Sequence, residues 1–256
     1  MPQLLFPAVR RTLKTALPRP ALHLWRRVVH GWIWGARSNA EVFTRVYARH
    51  LWGGTAAERF HSGAGSRDAA VVRPYLDAMR TTLSALEAEL GRKPDMVDIG
   101  CGDFHVGAQV RPFCARYTAC DVVPALIDHH RDQGLHPDVT FRVLDIALEP
   151  APRADVICVR QVFQHLGNED IAAALPNITG SARWLVISEH VPDGDFIPNR
   201  PKPPGPVTRL DAGSGVDLAA APFGLRARNA QVICDVAECE SGGRVVTTLY
   251  TLDPAV

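Results

Sequence analysis

The chain has 256 residues, 46% of them hydrophobic, enough for one α/β domain with an appendage and a sizeable core. Its formal net charge of +1 excludes a global electrostatic preference for nucleic acid. No apolar run approaches the roughly 18 residues of a membrane span, and no continuous hydrophobic segment marks a secretory signal.

The small net charge hides an asymmetry. Residues 1–50 carry nine Lys and Arg against one acid, Glu41, which leaves 19 basic and 26 acidic residues for the remainder. Phe6, Trp25, Trp32 and Trp34 lie among these charges, and Leu22 to Trp34 reads as an amphipathic basic helix. Such a helix suits peripheral contact with an anionic membrane surface, or packing on its own domain with the arginines solvated. With a helix over Asn39 to Arg49, residues 1–50 are predicted as a helical N-terminal extension and 51–256 as the main domain. The six cysteines show no C-x-x-C spacing, and Cys120, Cys158 and Cys234 sit in apolar runs. They read as reduced thiols of a cytoplasmic protein with no metal site.

His50 to Ser66, HLWGGTAAERFHSGAGS, places two glycine-containing turns around Trp52. By composition it is a linker; with hydroxyls and backbone amides to offer, it is alternatively a lid over a ligand. Asp68 to Leu90 has a helical apolar period at 71, 72, 75, 76, 79, 83, 86 and 90, closed by Gly91 and Pro94.

Met96 to Gly107, MVDIGCGDFHVG, then reads as a strand, a glycine turn and the start of a helix. Glycine permits positive φ and close approach of backbone to a nucleotide-like ligand. A dinucleotide turn needs its third glycine two positions before Gly107, and a pyrophosphate is repelled by the carboxylates Asp98 and Asp103 that bracket the turn. The same carboxylates suit a cationic ligand bearing an ammonium and a sulfonium, such as S-adenosylmethionine (SAM).

Beyond the turn, the pattern predicts a helix over Val106 to Ala115 and strands over Tyr117 to Val122, Val139 to Leu144, Ala154 to Val159 and Trp184 to Ser188. These run out near Asp121, Asp145, Arg160 and Glu189-His190, where doubly wound sheets bind ligands. Asp121 follows Gly100 by about the twenty residues at which an acid reaches a ribose diol. A helix over Glu169 to Ile178 precedes the fifth strand. The Pro- and Gly-rich stretch Pro192 to Gly215, with Arg200, Lys202 and Arg209, reads as a functional loop, here an acceptor lid. Gln231 to Glu240 and Arg244 to Leu252 form a terminal antiparallel hairpin.

Together these residues resemble the class I SAM-dependent methyltransferases, with VDIGCG as the cofactor loop, Asp121 after strand two and LDI after strand three. The resemblance implies an α/β, Rossmann-like seven-stranded sheet, mostly parallel with a C-terminal antiparallel hairpin, plus the N-terminal helical extension. More narrowly, WGG at 52–54, SGAGS at 62–66, CGDF at 101–104, CDVVPALI at 120–127, RQVFQHLGNEDI at 160–171, LPNI at 175–178 and PF at 222–223 resemble a bacterial subgroup associated with O-methylation of small molecules or glycans. Two departures stand out: His105-Val106-Gly107 where the subgroup has Asn-Trp-Met, and Arg160-Gln161 where it has Arg-Asp.

On this resemblance, the SAM-binding positions are Trp52, Ser62, Gly63, Ser66, Asp98, Gly100, Cys101, Gly102, Asp121, Val122, Asp145, Ile146 and Arg160. SGAGS covers the carboxylate end of the cofactor. An alcohol acceptor requires a proton acceptor, for which His105, His165 and Asp103 are the candidates. A carboxylate acceptor requires none and is clamped by Arg160, Arg200 or Arg209. The readings to be weighed are hydroxyl O-methylation of a small molecule or glycan, methyl-ester formation on a small acid, and a non-catalytic SAM-binding partner protein. A nicotinamide oxidoreductase is contradicted by the glycine spacing, and no aromatic platform for nucleic acid follows the basic residues.

Overall fold

The computed structural model describes residues 38–55, 58–238 and 242–253. The basic segment Leu22 to Trp34, with the membrane contact inferred from it, lies outside them. Ser38–Val256 forms one compact unit. Its first helix, α1 (Asn39–Ala48), is capped by Ser38 Oγ, which accepts the Glu41 amide at 3.3 Å. α1 buries Val42, Phe43, Val46 and Tyr47, and Trp52 packs on Phe43 and Tyr47 at ring distances of 5.9 and 5.2 Å. That apolar face packs α1 into the compact unit that begins at Ser38.

α2 (Ala69–Leu90) starts on Asp68, whose side chain accepts the Ala70 amide at 2.8 Å, and ends at Gly91 in the left-handed conformation. Tyr75, Met79 and Leu83 join one core with Met96 of β1, Cys158 of β4 and Val186 of β5. Each fully buried side chain of this size contributes about 1.5–3 kcal/mol.

The sheet comprises β1 (Met96–Ile99), β2 (Tyr117–Asp121), β3 (Val139–Val143), β4 (Val156–Arg160), β5 (Trp184–Val191), β6 (Asn229–Ala237) and β7 (Arg244–Thr251). Their order is β3-β2-β1-β4-β5-β7-β6. The first five are parallel, and β7 pairs antiparallel with β5 and β6. β1 is buried along its length because layers cover both faces, which is why it reads as an uninterrupted apolar run around Asp98. β1 lies between β2 and β4, so the chain order reverses there. The crevice at the carboxyl ends of these strands is where such sheets place ligands.

The helix predicted over Val106 to Ala115 is much shorter. α3 spans Gly107–Val110 and passes into a 3₁₀ turn at Arg111–Phe113, because Pro112 has no amide hydrogen and disfavours helical geometry at the residue before it. α4 (Pro124–Gln133) has proline at its first position and stops at left-handed Gly134; α5 (Asn168–Thr179) precedes β5. β4 starts two residues later than predicted, β5 extends to Val191, and a register shift between Val232 and Cys234 interrupts the hairpin. Among the described residues, no helix is long and apolar enough to cross a membrane.

Candidate functional site

The turn after β1 is lashed to β2. The amides of Gly100 and Cys101 both donate to the Cys120 carbonyl, at 2.8 and 2.9 Å. Gly100 and Gly102 are left-handed, with φ of 74° and 54°; a β-carbon at the first would run into Val162 and at the second into Ser62 Oγ. Phe104, also left-handed at 58°, is held there by its buried ring, packed edge-on to Phe141, Tyr117 and His136. His130 stacks on Phe141 at 4.8 Å and donates from Nε2 to the Gly102 carbonyl at 2.8 Å. Burial pushes the Cys101 thiol well up, which disfavours the thiolate.

Two buried carboxylates flank this turn. Asp98 accepts the Tyr117 hydroxyl at 3.0 Å, and burial pushes its pKa up to about 6 against that bond. Asp121 accepts the amides of Gly102 at 3.2 Å and Val123 at 3.0 Å; burial again outweighs these bonds and pushes it up to about 6. Asp145, after β3, accepts the Ala147 amide at 3.1 Å and is raised by desolvation. Val122 and Ile146 follow the acids, with Ile146 buried.

SGAGS closes against the turn through Asp103. The Asp103 amide donates to Ser62 Oγ at 2.7 Å, the Ser62 amide returns a bond to Asp103 Oδ2 at 3.2 Å, and Arg67 donates to the same oxygen at 2.9 Å. Asp103 Oδ1 accepts the His105 amide at 3.2 Å. Both oxygens of Asp103 are therefore engaged, so this carboxylate latches the lid and is a poor proton acceptor. From β4, Arg160 donates to the Gly65 carbonyl at 2.7 Å and to Ser66 Oγ at 3.4 Å, over the Tyr75 ring at 4.8 Å. Gln161 is left-handed at 55°, anchored by its amide on the Ser188 carbonyl at 2.7 Å, and lays its side-chain amide on Gly65.

The histidine candidates part company. The His105 imidazole is exposed on the turn. His165 sits in the 3₁₀ turn Phe163–His165 beyond β4, 5.0 Å from the Trp52 ring, and burial pushes its pKa down to about 3. It is neutral at physiological pH and far too weak a base to carry a proton there.

Pro192 to Gly215 is a packed strap. Asn199, Arg209 and Ser214 are buried, with Arg209 only 1% exposed. Arg209 donates to the carbonyls of Phe163 at 3.0 Å and Leu166 at 2.9 Å and to Asn168 Oδ1 at 2.7 Å, so it fixes the strap and is not available as the acceptor clamp expected of it. Lys202 Nζ donates to the His165 carbonyl at 3.0 Å, and burial, then the Arg209 charge, pushes it down to about 7. Glu189 accepts the Phe163 amide at 3.1 Å, leaves Oε2 buried without a hydrogen-bond partner, and is pushed by burial up to about 8. Tyr117, His130, Arg67, Lys202 and Glu189 were not among the predicted site residues. Two of them carried a signal in the sequence: Lys202 through the Pro- and Gly-rich loop, and Glu189 through its place at the end of the fifth strand.

Residues 97–183, which span β1 to the start of β5 and contain the turn and Asp98, Asp121 and Asp145, match the family model described as a methyltransferase domain. The sheet that contains them has the Rossmann-like methyltransferase fold. A methyltransferase domain implies S-adenosylmethionine as the cofactor. No curated protein matches the sequence significantly. Solved methyltransferases share the fold at low identity. The bifunctional kinase-methyltransferase WbdD matches with a TM-score of 0.54 and 17% identity over 73% of this chain and 41% of its own. The present chain thus spans less than half of that protein. The N-methyltransferase NodS from Bradyrhizobium japonicum WM9, solved with S-adenosyl-L-homocysteine, matches with a TM-score of 0.54 and 14% identity over 84% of this chain and 99% of its own. Magnesium protoporphyrin IX methyltransferase from Synechocystis PCC 6803, solved with SAM, matches with a TM-score of 0.50 and 14% identity over 84% and 98%.

The donor set of this methyltransferase domain fits SAM. The glycine turn offers backbone where a β-carbon finds no room, and Asp98 and Asp121 are buried acids whose ionisation a cationic ligand favours.

Proposed function

We propose that the protein is a SAM-dependent O-methyltransferase acting on a small-molecule or glycan acceptor. The observation that carries the reading is the pair of buried carboxylates, Asp98 and Asp121, on either side of a glycine turn that admits no side chain. Asp121 holds the ribose diol, Asp98 the cationic end, and Gly100, Cys101 and Gly102 present backbone. Val122, Asp145 and Ile146 line the base, while Trp52, Ser62, Gly63, Ser66 and Arg160 cover the amino-acid end. Bound there, SAM supplies an electrophilic methyl group on a sulfonium. The chain's own contribution is to hold that methyl in line with an acceptor oxygen and to exclude water with the latched lid and the strap.

A second reading, methyl-ester formation on a carboxylate, is favoured by the state of the proton-acceptor candidates. Asp103 is occupied by Arg67 and two amides, and His165 is too weak a base. An ionised carboxylate requires no base. The test is incubation with methyl-labelled SAM and an extract of small molecules and glycans, followed by mass spectrometry. Labelled ethers stable to alkali support the hydroxyl reading, alkali-labile products the ester. A chain that binds SAM and labels nothing is the non-catalytic partner.

A further inference from the structure

The hydrogen bonds around Gln164 determine where the proton of His165 lies. Gln164 Oε1 accepts the His190 amide at 2.9 Å, which orients the side chain with its nitrogen toward His165. That nitrogen lies 3.2 Å from His165 Nε2 and can only donate, so Nε2 is the acceptor and the proton of the neutral ring is on Nδ1. Nδ1 is buried and has no hydrogen-bond partner among the described residues. It is a donor with no acceptor in hydrogen-bonding geometry, only the Gly205 backbone acting weakly on the ring, and a ligand acceptor would complete it.

A second donor stands beside it. The Lys202 ammonium bonds the carbonyl of the same residue, and its charge is the largest electrostatic influence on His165 after burial. Among the described residues, no carboxylate lies within 4.0 Å of Lys202 or of Arg209, a strap cation whose charge acts on Lys202. Asp170 and Glu189 are the acids that act on Lys202, and Glu189, which also acts on Arg209, holds its proton up to about 8 and so does not neutralise these cations below that pH. Trp52 roofs this corner, its Nε1 donating to the Pro206 carbonyl of the strap at 3.3 Å. His50, Gly53 and Gly54, on either side of Trp52, are left-handed.

We propose that Lys202 Nζ and the Nδ1–H of His165, under Trp52, bind a carboxylate of the acceptor, so the substrate is an organic acid such as a uronic or aromatic acid. Two donors match the two oxygens of a carboxylate. A phosphate, with a third oxygen, is left unsatisfied in so enclosed a place. The inference rests on the methyltransferase reading and names its substrate class; His165 becomes a donor to the acceptor, not its base.

The test is titration calorimetry of the whole chain saturated with S-adenosyl-L-homocysteine, using benzoate, octanoate and glucuronate, each against its neutral amide. For at least one acid, binding about 10-fold tighter than its amide is expected, falling to within about threefold in Lys202→Met. Lys202→Arg and His165→Asn, which keep a charge and a donor, retain the preference, whereas His165→Phe loses it. Equal affinity for every acid and its amide, or a preference that survives Lys202→Met, overturns the proposal. Saturation with S-adenosyl-L-homocysteine is the internal control: if the homocysteine product does not bind, the cofactor reading fails, and if it binds without acid preference, this inference alone fails. Inorganic phosphate that competes with the acid at equal affinity also overturns it.

Discussion

The Asp121 carboxylate accepts the Gly102 amide at 3.2 Å, so the acid at the end of β2 closes the turn at the end of β1. Position 121 therefore shapes the glycine turn as well as holding what lies above it. Asp121→Ala loses both roles and is expected to weaken SAM by roughly 10- to 100-fold; Asp121→Asn, which keeps one acceptor oxygen, weakens it less. Calorimetric affinities unchanged in Asp121→Ala and in Asp98→Ala would remove the cofactor assignment.

The pH dependence of SAM binding follows from the same two acids. Burial pushes Asp98 and Asp121 up to about 6, well above an exposed aspartate. A cationic ligand binds the ionised form, so below that pKa each binding event must also expel a proton. SAM affinity is expected to be flat above pH 7 and to fall as pH drops through about 6, by up to tenfold per unit for each acid that must ionise. Asp98→Asn lowers the plateau and reduces the slope. Affinity independent of pH from 5 to 8 in the wild type contradicts an ion pair at this site.

The lid latch has a kinetic signature. Arg67 is 38% exposed and its pair with Asp103 is partly solvent-screened, so the pair contributes at most about 1 kcal/mol. Arg67→Ala is expected to speed SAM release about two- to fivefold with little change in melting temperature. Ser62→Ala removes the acceptor of the Asp103 amide, a bond worth about 1 kcal/mol, and gives a similar or larger effect. Stopped-flow release rates equal to the wild type in both variants rule out SGAGS as a lid.

What the sequence disclosed was local or periodic. The strand, glycine turn and Asp121 are tied by a spacing that the βαβ unit imposes, and α2 by its apolar period; both survive folding unchanged. The partners that tune the site lie far apart in the chain. Arg67 with Asp103, Tyr117 with Asp98 and Lys202 with His165 are polar pairings made by packing, and no periodicity announces them. Pro-rich composition marked the strap as irregular, but its anchor is a buried arginine satisfied by carbonyls, which a hydrophobic pattern cannot reveal. Pro112 is visible in the sequence, but how far it shortens α3 depends on the packing of the turn that follows.

Glu189 gives the last prediction, one of stability. Its pKa rises from 4.5 to about 8, chiefly through burial, with Oε2 unpaired. The native state holds this proton while the unfolded state has already released it between those values. Native protein thus binds more protons across that window, and stability must fall as pH rises from 4.5 to 8. The full penalty, at most about 5 kcal/mol for a shift of that size, is present above pH 8. Glu189→Gln cannot ionise and keeps a side-chain oxygen for the Phe163 amide. Urea unfolding should therefore show the variant more stable than the wild type by a few kcal/mol at pH 9, with the gap closing toward pH 5. If the difference is the same at pH 5 and pH 9, Glu189 is ionised throughout and its Oε2 is paired with a cation in solution.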